Sequence, residues 1–327
     1  MTAPAWSLGR ERGSVAMIRI MTWLTLRVGW TVGYALLYPI TLYFFLTWPR
    51  VRAASQDYLS RVLGRSPTVW TRLRHIFTSA SVLMDRLFML SGRTQAFRIE
   101  VVGLDHLTSA TAGGRGCLLF GAHFGSFDVL RSFGRQSPVP VRALMHRGTQ
   151  GHYSRLMEEL APGLRDDIIK IGSPDAMFRV RDSLARGEIV GILADRSDNG
   201  RKSVEVPFLG AEARFPTGPA ILAAALGVPV VLFFGIRRGP RHYEVRFEPF
   251  AERITIDPKD RAANLRRCVA GYAKRLEAQC HENPLNWFNF YPFWDLKLNA
   301  SPASARSSDP ARGGGVSAGR GRTAFAP

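Results

Sequence analysis

The chain has 327 residues, 46% of them hydrophobic, and 44 Lys and Arg against 26 Asp and Glu give a formal net charge of +18. Such a length holds one large domain with a sizeable apolar core, and three cysteines (Cys117, Cys268, Cys280) in no metal-ligand spacing argue against a disulfide framework or a metal site. Residues 1–27 and 299–327 each carry +3, so residues 28–298 keep +12, and the folded part itself should attract anions: lipid headgroups, nucleic acid or an acidic protein.

In chain order, the basic segment 1–27 is followed by a run without charge, VGWTVGYALLYPITLYFFLTW at 28–48. About 20 apolar residues suffice to cross a bilayer, and Trp30, Tyr38, Tyr43 and Trp48 are aromatics that favour headgroup depth. The run ends in TWPR and not in a small-residue site, which argues against a cleaved leader. A membrane anchor is therefore expected over 28–49. Pro39 would kink it, so a straight span and a bent, half-inserted segment both fit. A buried core helix is the competing reading.

Residues 53–96 read as helical, with Leu59, Val62, Val69, Leu73, Ile76 and Leu83 at mixed three- and four-residue spacing and several arginines among them. From 97 to about 250 short apolar runs alternate with helical stretches. Strands are expected at 97–103, 117–123, 139–145, 167–172, 188–194, 228–236 and 242–248, and helices at 125–134, 151–160, 174–186 and 217–226. This alternation predicts an α/β fold with a largely parallel mixed sheet flanked by helices. A helix at 260–281 and the aromatic block PLNWFNFYPFW at 284–294 close the domain at about residue 298. The block reads as packed core, with Asn286 and Asn289 as turn residues. Residues 299–327 are rich in Ser, Ala, Gly, Pro and Arg, and are expected to be disordered.

The chemistry centres on GAHFGSFDVLR, 121–131. CLLF before it is a buried strand with Cys117 as a core residue, and a helix is expected to begin near Ser126. His123 then stands at the carboxyl end of a strand, where open α/β sheets hold their ligands. Gly121 and Gly125 let a backbone or a substrate approach closely. Asp128, in the first turns of the helix, is positioned to accept a hydrogen bond from one imidazole nitrogen, leaving the other as a base for a hydroxyl. An alcohol activated in this way attacks an acyl group without a serine or cysteine nucleophile. No Gly-x-Ser-x-Gly elbow of a hydrolase is found, and no nucleic-acid-binding motif. A satisfied structural histidine remains the plain alternative for His123, and a turn or cap for Asp195 and Thr217.

A strand ending in His, then four residues and an Asp, behind an apolar N-terminal segment, resembles the lysophospholipid acyltransferase superfamily. The likeness is closest to its bacterial late lipid A acyltransferases, and GEIVGILADR, VEVPFLG, FPTGPAILAAALGVPVV and PLNWFNFYPFW follow in the same order. The resemblance covers roughly residues 17–296. It implies a glycerol-3-phosphate acyltransferase-like fold and transfer of a fatty acyl group from an acyl carrier protein thioester to a lipid hydroxyl, with no cofactor. It also implies a place on the bacterial inner membrane, the catalytic domain facing the cytoplasm. His123 would be the general base and Asp128 its partner. Asp195, Arg196, Thr217 and Gly218 would line the substrate site, the FPTG helix start offering N–H groups to phosphate or to the developing oxyanion. An active-site arginine is expected between the first block and Asp195, with Arg147 and Arg155 as candidates. Asp195-Arg196 stands where lipid A enzymes commonly carry an aspartate–histidine or similar pair. The acceptor is thus open among a lipid A precursor, a related lipid, a lysophospholipid and a polyene-type carrier.

Overall fold

The computed structural model describes residues 15–130, 140–146, 167–196 and 202–296. The expected helix at 151–160, Arg147, Arg155 and the tail 299–327 lie outside the described residues. The N-terminal region is four helices: α1 (Val15–Val28), α2 (Trp30–Thr47), α3 (Pro49–Leu63) and α4 (Val69–Leu90). Gly29, at φ 103°, separates α1 from α2 inside the expected anchor. Gly64, at φ 64°, ends α3, and the Thr68 hydroxyl caps α4 by accepting from the Thr71 amide at 3.1 Å. The helical pattern read over 53–96 is thus two helices with a left-handed break.

Among the described residues nine strands follow: β1 (Arg98–Val102), β2 (Cys117–Gly121), β3 (Val141–His146), β4 (Ile168–Ile171), β5 (Ile189–Leu193), β6 (Ser203–Phe208), β7 (Ala211–Pro216), β8 (Val230–Gly239) and β9 (His242–Ala251). Among them run α5 (Leu104–Ala110), α6 (Ala176–Ala185) and α7 (Gly218–Leu226), and α8 (Arg261–Glu282) comes after. Seven strands form one sheet in the order β1-β9-β8-β2-β5-β3-β4, with the β8–β9 pair antiparallel and the others parallel. The strands β6 and β7 make a separate antiparallel hairpin.

Both faces of the sheet are buried, which is why the central strands read as unbroken apolar runs. Side chains alternate across the pleat. Leu118, Phe120, Val190, Ile192, Leu232 and Phe234 join one core, and Cys117, Leu119, Ile189, Val231 and Phe233 join the other. Each fully buried Leu or Phe contributes about 1.5–3 kcal/mol relative to exposure. Helix α4 is bound to this body by polar contacts as well. Asp85, fully buried, accepts from Tyr243 Oη of β9 at 2.7 Å and from Trp30 Nε1 of α2 at 2.6 Å.

Candidate active site

Strands β2 and β5 are parallel neighbours, with Gly121 opposite Leu193. His123 and Asp195 each stand two residues beyond these paired ends, so the register alone brings them together. His123 Nδ1 lies 2.8 Å from Asp195 Oδ1, and the His123 amide donates to Asp195 Oδ2 at 3.0 Å. A carboxylate only accepts, so Nδ1 carries the proton and Nε2 holds the lone pair of the neutral ring. The imidazole is 29% exposed and the carboxylate is wholly buried.

Asp195 is a fixed anion. Trp287 Nε1 and Asn289 Nδ2 also donate to Oδ2, at 3.1 and 2.8 Å. Burial alone would raise its pKa. The charge and hydrogen bond of His123, the charge of Arg196 and the His123 amide outweigh burial and hold the carboxyl well below its usual range. Arg196 is positioned by Asn289 Oδ1 at 2.6 Å and by the Phe288 carbonyl at 3.0 Å. Asn289, expected as a turn residue, thus holds both Asp195 and Arg196, while Asn286, likewise expected, accepts through Oδ1 from the Arg237 amide at 2.8 Å.

The segment after His123 is clamped from two sides. Phe288 N donates to the His123 carbonyl at 2.8 Å, Gly125 N to the Asn286 carbonyl at 2.7 Å, and Ser126 N to the Gly235 carbonyl at 2.7 Å. Gly125 has φ +58°, and a Cβ there would fall on the Gly235 carbonyl, well inside van der Waals contact. Only glycine fits such a crossing. The strand β2 ends at Gly121, and helical residues begin at Asp128, later than Ser126.

Asp128 is buried and forms an ion pair with Arg86 of α4, Oδ2 to Nε at 2.8 Å. The Nδ1 position of His123, where the sequence spacing suggested Asp128, is occupied by Asp195. Thr217 and Gly218 stand at the start of α7. The Thr217 amide donates to the Lys202 carbonyl at 2.8 Å, and its carbonyl accepts from Ile221 at 3.0 Å. Among the described residues no cluster of three or more His, Cys, Asp or Glu side chains is arranged to hold a metal.

A buried pair, His75 with Ser55, also escaped the sequence reading. His75 of α4, fully buried, lies 2.8 Å from the Trp287 carbonyl through Nε2 and 2.9 Å from Ser55 Oγ of α3 through Nδ1. The carbonyl only accepts, so His75 donates from Nε2 and Ser55 donates to Nδ1. Burial, against the Trp287 bond, lowers the His75 pKa to about 4, so the ring is neutral. Nothing in the neighbourhood of His75 in sequence marks a contact 212 positions away.

The chain is of the lysophospholipid acyltransferase type, the class to which its family model and relatives assign it. Within that class the chain belongs to the bacterial lipid A biosynthesis acyltransferase family, whose family model matches residues 50–295. It is 26% identical over 204 residues to a phosphatidylinositol mannoside acyltransferase of Mycolicibacterium smegmatis, covering 62% of this chain and 64% of that protein. It is 28% identical over 225 residues to the phosphatidylinositol mannoside acyltransferase of Mycobacterium tuberculosis strain H37Rv, covering 66% of this chain and 67% of that one. The chain thus spans somewhat under two thirds of the length of the first of these relatives.

Proposed function

We propose that this chain is a membrane-bound O-acyltransferase that moves a fatty acyl group from an acyl carrier protein thioester to a hydroxyl of a lipid acceptor. The observation that carries the reading is the His123–Asp195 pair, built on paired strand ends in a chain of an acyltransferase family. Nε2 of His123 takes the proton of the acceptor hydroxyl as its oxygen attacks the thioester carbonyl. The tetrahedral intermediate collapses, the C–S bond breaks, and the thiol leaves with the proton returned from Nε2. Asp195 stabilises the imidazolium between these steps, as a buried anion 2.8 Å away should. Asp128, through Arg86, fixes the helical turn that follows the base. Arg196 contributes positive charge beside the pair, and Thr217 and Gly218 offer the start of α7 to the acceptor or the oxyanion.

The acceptor is a lipid A precursor or a related lipid. The two relatives, named for a mannosylated phosphatidylinositol, support an anionic glycolipid with a sugar hydroxyl. The +12 of residues 28–298 suits an acidic protein donor. Acyl carrier protein and such lipids meet on the cytoplasmic face of the bacterial inner membrane, where we place the enzyme.

The test is acyl transfer by purified protein from acyl carrier protein and from coenzyme A thioesters to detergent-dispersed lipid acceptors, read by mass spectrometry. His123→Ala should lose roughly 10²–10⁴-fold in rate while keeping its circular dichroism. Near-wild-type turnover by the folded variant refutes the mechanism, and no transfer to any lipid refutes the function.

A further inference from the structure

Among the described residues, α2 is the one helix long and apolar enough to cross a membrane, yet only 22% of it is buried. Its packing sets how it meets lipid. From its first turn nearly to its last, α2 lies antiparallel along α4. Trp30 donates to Asp85, a Cβ on Gly33 would stand 3.2 Å from Met84 Sδ, and the Tyr38 ring lies 4.5 Å from that of Phe77. Near its end the Phe45 ring faces the Arg72 guanidinium at 5.9 Å. Helix α4 in turn is held by the domain through His75 to Trp287, Asp85 to Tyr243 and Arg86 to Asp128. A bilayer-spanning α2 would draw Arg72, Arg74, His75 and Asp85 to hydrocarbon depth, or else tear away from α4; both are costly.

The face of α2 opposite Gly33, Thr41 and Phe45 is the exposed one. Val32, Ala35, Tyr38, Leu42, Tyr43 and Leu46 recur along it at three- and four-residue intervals without a charge. Leu46, Tyr43 and Leu42 are 64, 61 and 48% exposed. The contact between Phe45 and Arg72 brings the first turn of α4, with Val69 and Trp70 exposed, beside the last turn of α2. Arg50, Arg65 and Arg74, all exposed, belong to the same end.

We infer that α2 lies in the plane of an anionic lipid surface, its outer stripe at the boundary of headgroups and acyl chains, with Arg50, Arg65 and Arg74 on lipid phosphates. This goes beyond acyl transfer and rests only on the membrane-bound part of that reading.

The experiment uses the full chain with Cys268→Ser, leaving the buried Cys117 and Cys280. Single cysteines at Val32, Ala35, Leu42 and Leu46 carry nitroxide labels, and depth is read from oxygen and nickel accessibility on vesicles of equal phosphatidylglycerol and phosphatidylcholine. An in-plane helix gives four labels at one shallow depth. A spanning helix puts the inner pair roughly 5 Å deeper than the outer pair, from the rise per residue, and overturns the inference. Four labels fully open to water also overturn it. Replacing the three arginines by glutamine should lower partitioning onto these vesicles roughly a hundredfold, about fivefold per charge; unchanged partitioning overturns the headgroup contacts. Acyl transfer to detergent-dispersed acceptor, run on the same samples, needs no bilayer, so a failed depth profile with intact transfer sinks the docking and leaves the activity standing.

Discussion

Asp195→Asn separates the charge of the buried carboxylate from its shape. Three donors converge on Oδ2: the His123 amide, Trp287 Nε1 and Asn289 Nδ2. The amide oxygen of an asparagine must take that place, because its NH₂ group there would face three N–H groups. The NH₂ is then forced to the Oδ1 position, 2.8 Å from His123 Nδ1. It donates to Nδ1, drives the ring to the Nε2–H tautomer and removes the Nε2 lone pair on which the proposed mechanism relies. Turning the ring back buries two facing donors, at about 1–3 kcal/mol. The lost attraction between carboxylate and imidazolium adds about 4 kcal/mol at 4 Å and an effective dielectric of 20. Together, at about 5–7 kcal/mol, these predict a rate loss of roughly 10⁴–10⁵-fold, at about 1.4 kcal/mol per factor of ten. Folding should survive, since all three donors to Oδ2 keep an acceptor. Initial acyl-transfer rates give the loss, and ¹⁵N shifts of the labelled imidazole give the tautomer. Turnover within tenfold of the parent, with Nδ1–H retained, would refute the reasoning.

Two other substitutions probe the frame around the site. With the His75 pKa lowered from 6.5 to about 4, the unfolded chain binds the extra proton between these values, so this stability is whole above pH 6.5 and lost as pH falls towards 4. Between pH 7.5 and 4.5 the parent should lose roughly 2–3 kcal/mol more than His75→Gln in urea titrations, and equal losses would show that His75 is not buried neutral. Gly125→Ala combines a positive φ with a collision against the Gly235 carbonyl and should cost about 3–5 kcal/mol, whereas Gly113→Ala, at φ 72° with open space around it, should cost about 1–2. Equal costs in the same titration would mean that the crossing is not tight.

Much of the sheet was legible because its strands are buried on both faces: CLLF and IVGIL stand out as apolar runs between polar ones, and the structure has β2 and β5 there. The β6–β7 hairpin was not read as strands. Pro207 and Glu205 interrupt the first of them, and the turn is Leu209-Gly210, with Leu209 at φ 51°, where no turn signal predicts a leucine. At the site, His123 was legible as a histidine at a strand end. Its bond to Asp195 was not, because it depends on β2 and β5 being neighbours in register, and strand order leaves no trace in local spacing. A carboxylate five residues on drew attention to Asp128, which forms an ion pair with Arg86. The aromatic block read as core, and Trp287 is wholly buried among Tyr58, Phe208 and Phe293. The same indole donates to Asp195, a polar duty that its apolar surroundings conceal.

The donors that complete Asp195 also order events in time. His123 leaves the ribosome 166 positions ahead of Asn289, which at 5–20 residues per second is roughly 10–30 s of synthesis. Strand β2 precedes His123, β5 and β8 emerge within that interval, and the three have each other to pair with. Trp287, Phe288 and Asn289 do not yet exist, so the nascent carboxylate stays in water, the His123 carbonyl lacks its amide, and Gly125 N–H has no Asn286 carbonyl to bond. From the completion of β8 at Gly239 until residues 286–289 are made, the growing chain therefore holds its central strands without the groups that fix Asp195 and the His123 carbonyl.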